Sequence, residues 1–387
     1  MGRRARVVVW GADGPAPIVE PEVPWWGEAR SLVDAAEATV GHRLRLLRRL
    51  SVEGGQNGHD SEVTYLFERE GGPVADEPDH PLRSPWARSG WIDQVLSWEP
   101  VAERLVGRPV QEKWWNLSAV LEIPTNAASL WLKAIPAFFA SEAALVDFLR
   151  RAQKPVPDVV AHGRTFGLYE HIEGADQWDP SDEVVGELIE KLVDIQLWSA
   201  PRLSVFEGAR VHNRRAGRLA ADFSALVERT DVRSTLGPAE AEELDAAVAL
   251  VGSWAYELER CGLPVTLLHG DFHPGNTRGV PGDLVILDWT DAAVGSPLLD
   301  IPTFLVRLPA ERAAAAREGV ATAWSRHVRG IDFDRAFALA EPLRAAIDAL
   351  VYQEFLDGIE PSERIDHEQD VPASLRRVIE SARRLRS

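Results

Sequence analysis

The residues best suited to chemistry lie between Leu267 and Asp291, in the stretch LLHGDFHPGNTRGVPGDLVILDWTD. His269, Asp271 and His273 follow the apolar run at 265–268, and Asn276 stands five residues after Asp271. A second apolar run, 284–287, ends in Asp288. Two short strands joined by a Pro-Gly turn would bring Asp271, Asn276 and Asp288 to neighbouring strand ends. A carboxylate behind a glycine can accept the proton of an incoming alcohol. An amide oxygen and a second carboxylate are hard ligands suited to Mg²⁺. Transfer of a phosphoryl group from a nucleotide needs little more than such positioning and charge neutralisation. Two other readings compete: a His269–Asp271–His273 metal triad, which leaves Asn276 and Asp288 unexplained, and a plain polar turn between strands.

Three strands are expected before this stretch, over 110–117, 119–123 and 129–135. The third places Lys133 within an apolar run, where a lysine needs a partner. Ser141 reads as an N-cap and Glu142 opens a helix to about Arg151, so Lys133 and Glu142 are placed to pair. The alternative is a snorkelling edge lysine beside an ordinary helix-start glutamate. Residues 159–162 and 166–172 suggest a further hairpin. From Ser181 onward the apolar spacing becomes helical, over 182–198, 209–229, 238–260, 307–329, 333–357 and 373–385.

Residues 1–90 read as a separate α/β piece: a strand at 6–10, a helix from Pro24 to Val40 stopping at Gly41, and strands at 44–50 and 62–68. The order resembles that of Nudix hydrolases. The glutamate cluster of their metal-binding helix is missing, since this helix offers only Glu28, Asp34 and Glu37. An accessory domain fits better. Prolines at 73, 78, 81 and 85 mark a linker or surface loop. A helix over 89–106 should follow it.

Composition bounds the whole. At 387 residues the chain allows two or three domains, and at 45% hydrophobic content it can bury substantial cores, which argues against global disorder. No apolar run approaches the roughly 20 residues of a membrane span. The basic N-terminus has too short an apolar stretch for a signal peptide. A lone cysteine, Cys261, rules out a disulfide framework and a multi-cysteine zinc site. A cytoplasmic protein is expected, without membrane attachment. The net charge of −18 argues against nucleic acid as a partner and would draw a cationic small substrate, although acidity also serves solubility.

The block HGDFHPGN followed by ILDWTDA resembles the aminoglycoside phosphotransferase and choline kinase group of protein-kinase-like enzymes, whose pattern is H-G-D-x-H-x-x-N and then a strand ending in Asp. Gly295 to Asp300 resembles the segment that follows. The likeness covers roughly residues 100–360. It implies an α+β, protein-kinase-like, two-lobed fold: an accessory α/β domain over 1–88, a β-rich lobe over 89–174 and a helical lobe over 175–387. It implies transfer of the γ-phosphate of ATP or GTP to a small-molecule hydroxyl, with Mg²⁺ as cofactor.

By the same resemblance Asp271 is the catalytic base, and Asn276 and Asp288 bind Mg²⁺. Lys133, held by Glu142, contacts the nucleotide's phosphates. Glu170, His171 and Ile172 form the hinge beside the base, and His269 and Asp300 brace the loop. The turn at 115–119 lacks the glycine-rich phosphate loop, and either the Ser118 hydroxyl or the turn's backbone N–H groups stand in for it.

The acceptor is expected near His273, Trp289, Asp291, Tyr352, Gln353 and Asp357, with Glu354 and Glu360 as further candidates; bracing of the catalytic loop is the other reading of His273. Acidic groups there suit an amine-bearing antibiotic, and aromatic ones a sugar or nucleoside face. A protein kinase lacks support, because no activation segment separates Asp288 from Asp300. A non-catalytic nucleotide-binding regulator on the same fold is the alternative, opposed by intact Asp271, Asn276 and Asp288.

Overall fold

The computed structural model describes residues 4–22, 27–54, 61–74, 78–139, 142–208 and 211–386. The chain divides into two units. One comprises Met1–Ala143, Asp158–His171 and Phe355–Glu368, and the other Ala144–Pro157, Ile172–Glu354 and Gln369–Ser387.

The first unit holds two sheets. In Arg4–Val9 every second residue (Ala5, Val7, Val9) is buried, the period of a strand with one face on a core. It lies parallel to Glu62–Arg69, which pairs antiparallel with Leu44–Glu53, and Ile18–Val19 closes the edge. The helix Arg30–Val40 buries Leu32, Val33 and Ala36 and stops at Gly41, whose φ of 74° suits glycine. The second sheet has the order Val110–Trp114, Ala119–Ile123, Leu130–Ala134, Phe166–Tyr169, Val159–His162. One apolar core runs through both sheets, taking Val7, Leu46 and Phe67 together with Trp114, Leu121, Leu132 and Leu168. Leu121 and Leu132 are fully enclosed, and each stabilises the fold by about 2 kcal/mol.

Two expectations for this unit need correction. The helix begins at Arg30, not Pro24. Gly27 to Ala29 instead join the edge of Val110–Trp114, with Trp114 N donating to Gly27 O at 2.7 Å and Ala29 N to Glu112 O at 2.9 Å. Glu28 is therefore not on the helix, and Pro24 lies outside the described residues. The single helix over 89–106 is two short ones, Trp91–Leu96 and Glu99–Ala102, because Pro100 has no N–H to continue the ladder and Trp98 before it is extended.

The second unit is mostly helical: Asp182–Ser199, Ala216–Glu228, Pro238–Glu259, Ala310–Ser325, Asp370–Arg386, and Phe333–Gly358 apart from its last turns. No helix among the described residues is long and apolar enough to cross a membrane. The helix expected from 209 starts at Ala216, preceded by the short strand His212–Asn213.

The two apolar runs of the central stretch do not pair with each other. Thr266–Leu268 pairs with Ala293–Gly295, whereas Asp283–Ile286 forms a hairpin with Thr277–Val280, a strand not expected from the sequence. Pro281 and Gly282 form the turn of that hairpin. Gly279 in the hairpin hides this strand, since it breaks the apolar alternation.

Candidate active site

In the second unit the strand Thr266–Leu268 delivers the chain into the loop 269–276. Asp300 fixes the entrance, taking the N–H of His269 at 3.1 Å, that of Gly270 at 2.9 Å and the Gln196 amide at 3.1 Å. Burial pushes its carboxyl above the ordinary range, and the Gly270 N–H and His269 offset part of that rise. His269 is fully buried. Its Nε2 meets the Leu287 carbonyl at 2.7 Å, and its Nδ1 accepts from Asp271 N at 3.3 Å. Burial holds its basicity down, and a neutral ring with the proton on Nε2 satisfies both contacts.

Asp271 thus leaves a loop that is tied on both sides. Asn276 Nδ2 donates to the Asp271 carbonyl at 3.0 Å and to its Oδ2 at 3.2 Å, and His273 Nε2 lies 3.5 Å from the same Oδ2. Burial by itself would raise this carboxyl. The His273 contact, followed by Arg344 and His269, outweighs it and holds Asp271 below the usual carboxylate range. The side chain remains 41% exposed, so its carboxylate is open to an incoming proton.

Asn276 uses its amide N–H groups on Asp271, which leaves its amide oxygen as the side-chain atom able to ligate a metal. Its carbonyl receives Leu287 N at 2.8 Å, which ties it to the chain just before Asp288. Asp288 sits at φ 59°, an uncommon conformation for a residue other than glycine, and accepts from Thr290 Oγ1 at 2.7 Å. Asp271, Asn276, His273 and Asp288 therefore share one loop system. One amide oxygen and one carboxylate fit Mg²⁺, which commonly takes one or two protein oxygens and completes its shell with water and phosphate. No cluster of three or more His, Cys, Asp or Glu able to hold a metal occurs among the described residues, which removes the His269–Asp271–His273 triad.

Arg344, on the helix Phe333–Gly358, was not foreseen. Its buried guanidinium donates to the Gly270 carbonyl and, at 2.6 Å, to Asp348. Burial alone would lower its basicity, but Asp348, Asp271 and Asp291 hold it above the ordinary value. The i,i+4 spacing of Arg344 and Asp348 was readable in the sequence, but their target 74 residues earlier was not.

Asp291 has a buried oxygen with no hydrogen-bond partner, and burial together with Asp271 raises its carboxyl to about 7. Tyr352 is half-buried; burial first, then Asp348, Asp370 and Asp271, raises its hydroxyl above the usual range. Of the residues expected at the acceptor, Trp289, Gln353 and His273 are buried. The turn at Asp288 sends the Trp289 indole inward, where it donates to Ile286 O at 3.1 Å and packs 4.7 Å from His269. Asp357 is exposed and belongs to the other unit.

The first unit carries the remaining candidates. Lys133 Nζ lies 2.8 Å from Glu142 Oε1, with the glutamate side chain 5% exposed. Ser141, read as the cap of that helix, lies outside the described residues. Ser118 is buried and its hydroxyl accepts the Trp115 indole N–H at 2.9 Å. Glu170 donates its backbone N–H to Asp158 O at 3.0 Å, and His171 Nδ1 accepts from Trp131 at 3.1 Å. The division between units falls between His171 and Ile172. In the second unit the Ile172 carbonyl takes Arg278 Nε at 2.9 Å.

Comparison with known proteins bears on the fold and the family. The chain is similar to the structure of a macrolide 2'-phosphotransferase from Brachybacterium faecium, at 19% identity and TM-score 0.50, covering 73% of this chain and 98% of that one. It is similar to a choline/ethanolamine kinase family protein from Mesorhizobium loti, at 15% identity and TM-score 0.52, covering 76% and 99%. It is also similar to a choline kinase from Streptococcus pneumoniae, at 12% identity and TM-score 0.53, covering 75% and 99%. At these identities the likeness is one of fold, and the fold is the α+β, kinase-like one. No curated protein matches the sequence. The model of the phosphotransferase enzyme family matches residues 131–337, more than half of the chain and inclusive of Lys133, Asp271, Asn276 and Asp288. The chain belongs to that family.

Proposed function

We propose that this family member moves the γ-phosphate of ATP or GTP to a hydroxyl of a small molecule in the cytoplasm. An aminoglycoside or other antibiotic, an amino sugar or a related metabolite is the acceptor class, and antibiotic resistance is one outcome of such a reaction. The observation that carries the reading is the state of Asp271: ionised, partly exposed, and turned by Asn276 and His273 within a braced loop. Such a carboxylate can take the acceptor's hydroxyl proton as the oxygen attacks the γ-phosphorus and the bond from that phosphorus to the bridging oxygen breaks, releasing ADP or GDP. Asn276 and Asp288 would hold Mg²⁺, which when bound neutralises phosphate charge. Lys133, fixed by Glu142, is assigned to the phosphates, and residues 170–172 to the nucleotide's base. Asp291, Tyr352 and His273 are assigned to the acceptor. Residues 1–88, 89–174 and 175–387 are read as accessory domain, nucleotide lobe and acceptor lobe.

The test is phosphate transfer from labelled ATP and GTP, with Mg²⁺, to a panel of aminoglycosides, nucleoside antibiotics, amino sugars and choline. Asp271→Ala should abolish transfer and leave nucleotide binding within about twofold, since base catalysis contributes roughly 10²–10⁴-fold to such steps. Undiminished turnover in that variant would remove Asp271 from the role.

A further inference from the structure

The first 88 residues have no part in the reaction as assigned, and the turn at 115–118 lacks the glycines that usually shape a phosphate loop. The two facts are connected within the first unit. The edge strand Val110–Trp114 leads into the turn and is bound along its length by the N-terminal segment. Gly27 and Ala29 exchange backbone hydrogen bonds with Trp114 and Glu112. The Gln111 amide pairs with both the N–H and the carbonyl of Leu46, each at 2.9 Å, and the Trp114 indole donates to Leu47 O at 3.0 Å.

The turn itself is gripped from two sides. Trp86, 2% exposed, donates its indole N–H to Trp115 O at 2.8 Å. From the other side Asn116 Nδ2 donates to Glu363 O at 3.2 Å. Residues 360–366 are in turn fastened to the N-terminal segment: Arg49 meets Asp366 at 2.9 Å and Glu363 at 3.1 Å, and Arg83 meets Glu360 at 3.0 Å. Inside the turn, Trp115 N donates to Ser118 O and the Trp115 indole to Ser118 Oγ. A glycine-rich loop holds phosphate by close backbone approach of a pliable chain. Here a turn built from Trp, Asn, Leu and Ser is preset by its supports.

We propose that residues 27–54 and 78–87 position the turn 115–118 for the nucleotide's phosphates, with Trp86 as the positioning residue. The inference rests on the phosphotransfer reading. It gives the N-terminal segment a part in nucleotide binding, with no contact to the nucleotide of its own. Loss of the Trp86 N–H removes one hydrogen bond to Trp115 O and loosens the turn, while nothing at the base-recognising segment 170–172 changes.

The experiment titrates the full chain and Trp86→Phe calorimetrically with ATP and GTP in Mg²⁺, and with adenosine and guanosine. The triphosphate bound by the parent should bind about five- to tenfold more weakly to the variant, the size of one lost hydrogen bond. Affinity for the matching nucleoside should stay unchanged. Asn116→Ala, which removes the opposite tether, should reproduce the split and stands in if Trp86→Phe fails to fold by thermal unfolding. Equal triphosphate affinity in variant and parent overturns the inference, as does a parallel loss of triphosphate and nucleoside affinity. A parent that binds neither triphosphate overturns the phosphotransfer reading itself.

Discussion

Replacing Asp291 by Asn should make the protein more stable than its parent at pH 8 and leave the two alike near pH 4. Asp291 lies at the catalytic loop with a buried oxygen that finds no donor, and its carboxyl is raised from 3.8 to about 7 by burial and by repulsion from Asp271, against the pull of Arg344. Between those two values the native state holds a proton that the unfolded chain has released. Stability attributable to this group is therefore present at acid pH and falls as pH rises through the window. One pH unit corresponds to about 1.4 kcal/mol, so the full shift of about three units sets a ceiling of about 4 kcal/mol. Asparagine cannot ionise and escapes this loss. Glu363, also raised to about 7, titrates identically in both proteins and cancels in the difference. Urea unfolding of parent and Asp291→Asn at half-unit steps from pH 4 to 8, without metal or nucleotide, reads the effect directly. A difference between the two proteins that stays flat across that range refutes both the burial of Asp291 and its coupling to Asp271.

Asp300→Ala should cost roughly 3 kcal/mol or more in urea unfolding, because it orphans the buried N–H groups of His269 and Gly270 and the Gln196 amide. Lys133→Met leaves the buried Glu142 carboxylate without its ammonium and should raise the nucleotide KM at least tenfold while shifting the acceptor KM less than twofold, in initial-rate assays varying each substrate. Arg344→Met removes a positive charge that helps keep Asp271 ionised. The acid limb of the kcat/KM profile should then move to higher pH, and an unmoved limb would show that His273 suffices.

The parts of the site readable from sequence are those whose partners are close in the chain. Asp271 and Asn276 are five residues apart and do bond, and Lys133 and Glu142, nine apart, do pair. Element types were mostly legible as well: the strand at 119–123 and the helix from Glu142 to Arg151 lie where apolar spacing sets them. The illegible parts depend on distant segments. Nothing local in Thr266–Leu268 announces Ala293–Gly295 as its partner, and both are short, buried and apolar. Gly27 to Ala29 read as a helix start because the edge of Val110–Trp114, which captures them, lies more than 80 residues away. Trp289 reads as an acceptor candidate beside a metal aspartate, but its indole packs on His269 and donates to Ile286 O, contacts that its own position in the chain does not announce.

Gly270 shows why the loop tolerates so little change. Its N–H is held by Asp300, its carbonyl by Arg344, and its φ of 89° lies where side chains are disfavoured. A Cβ built on it would lie 1.9 Å from the Asp291 carbonyl oxygen, a backbone atom that cannot yield by a rotamer change. The glycine before the base is thus required for space as well as for conformation, and its neighbours leave it no freedom to move. Three segments, around residues 291, 300 and 344, converge on one peptide unit to set the direction in which Asp271 leaves the chain. The base gains much of its orientation from Asp300 and Arg344, neither of which is assigned a substrate contact, so substitutions at those two positions should depress turnover before they disturb nucleotide affinity.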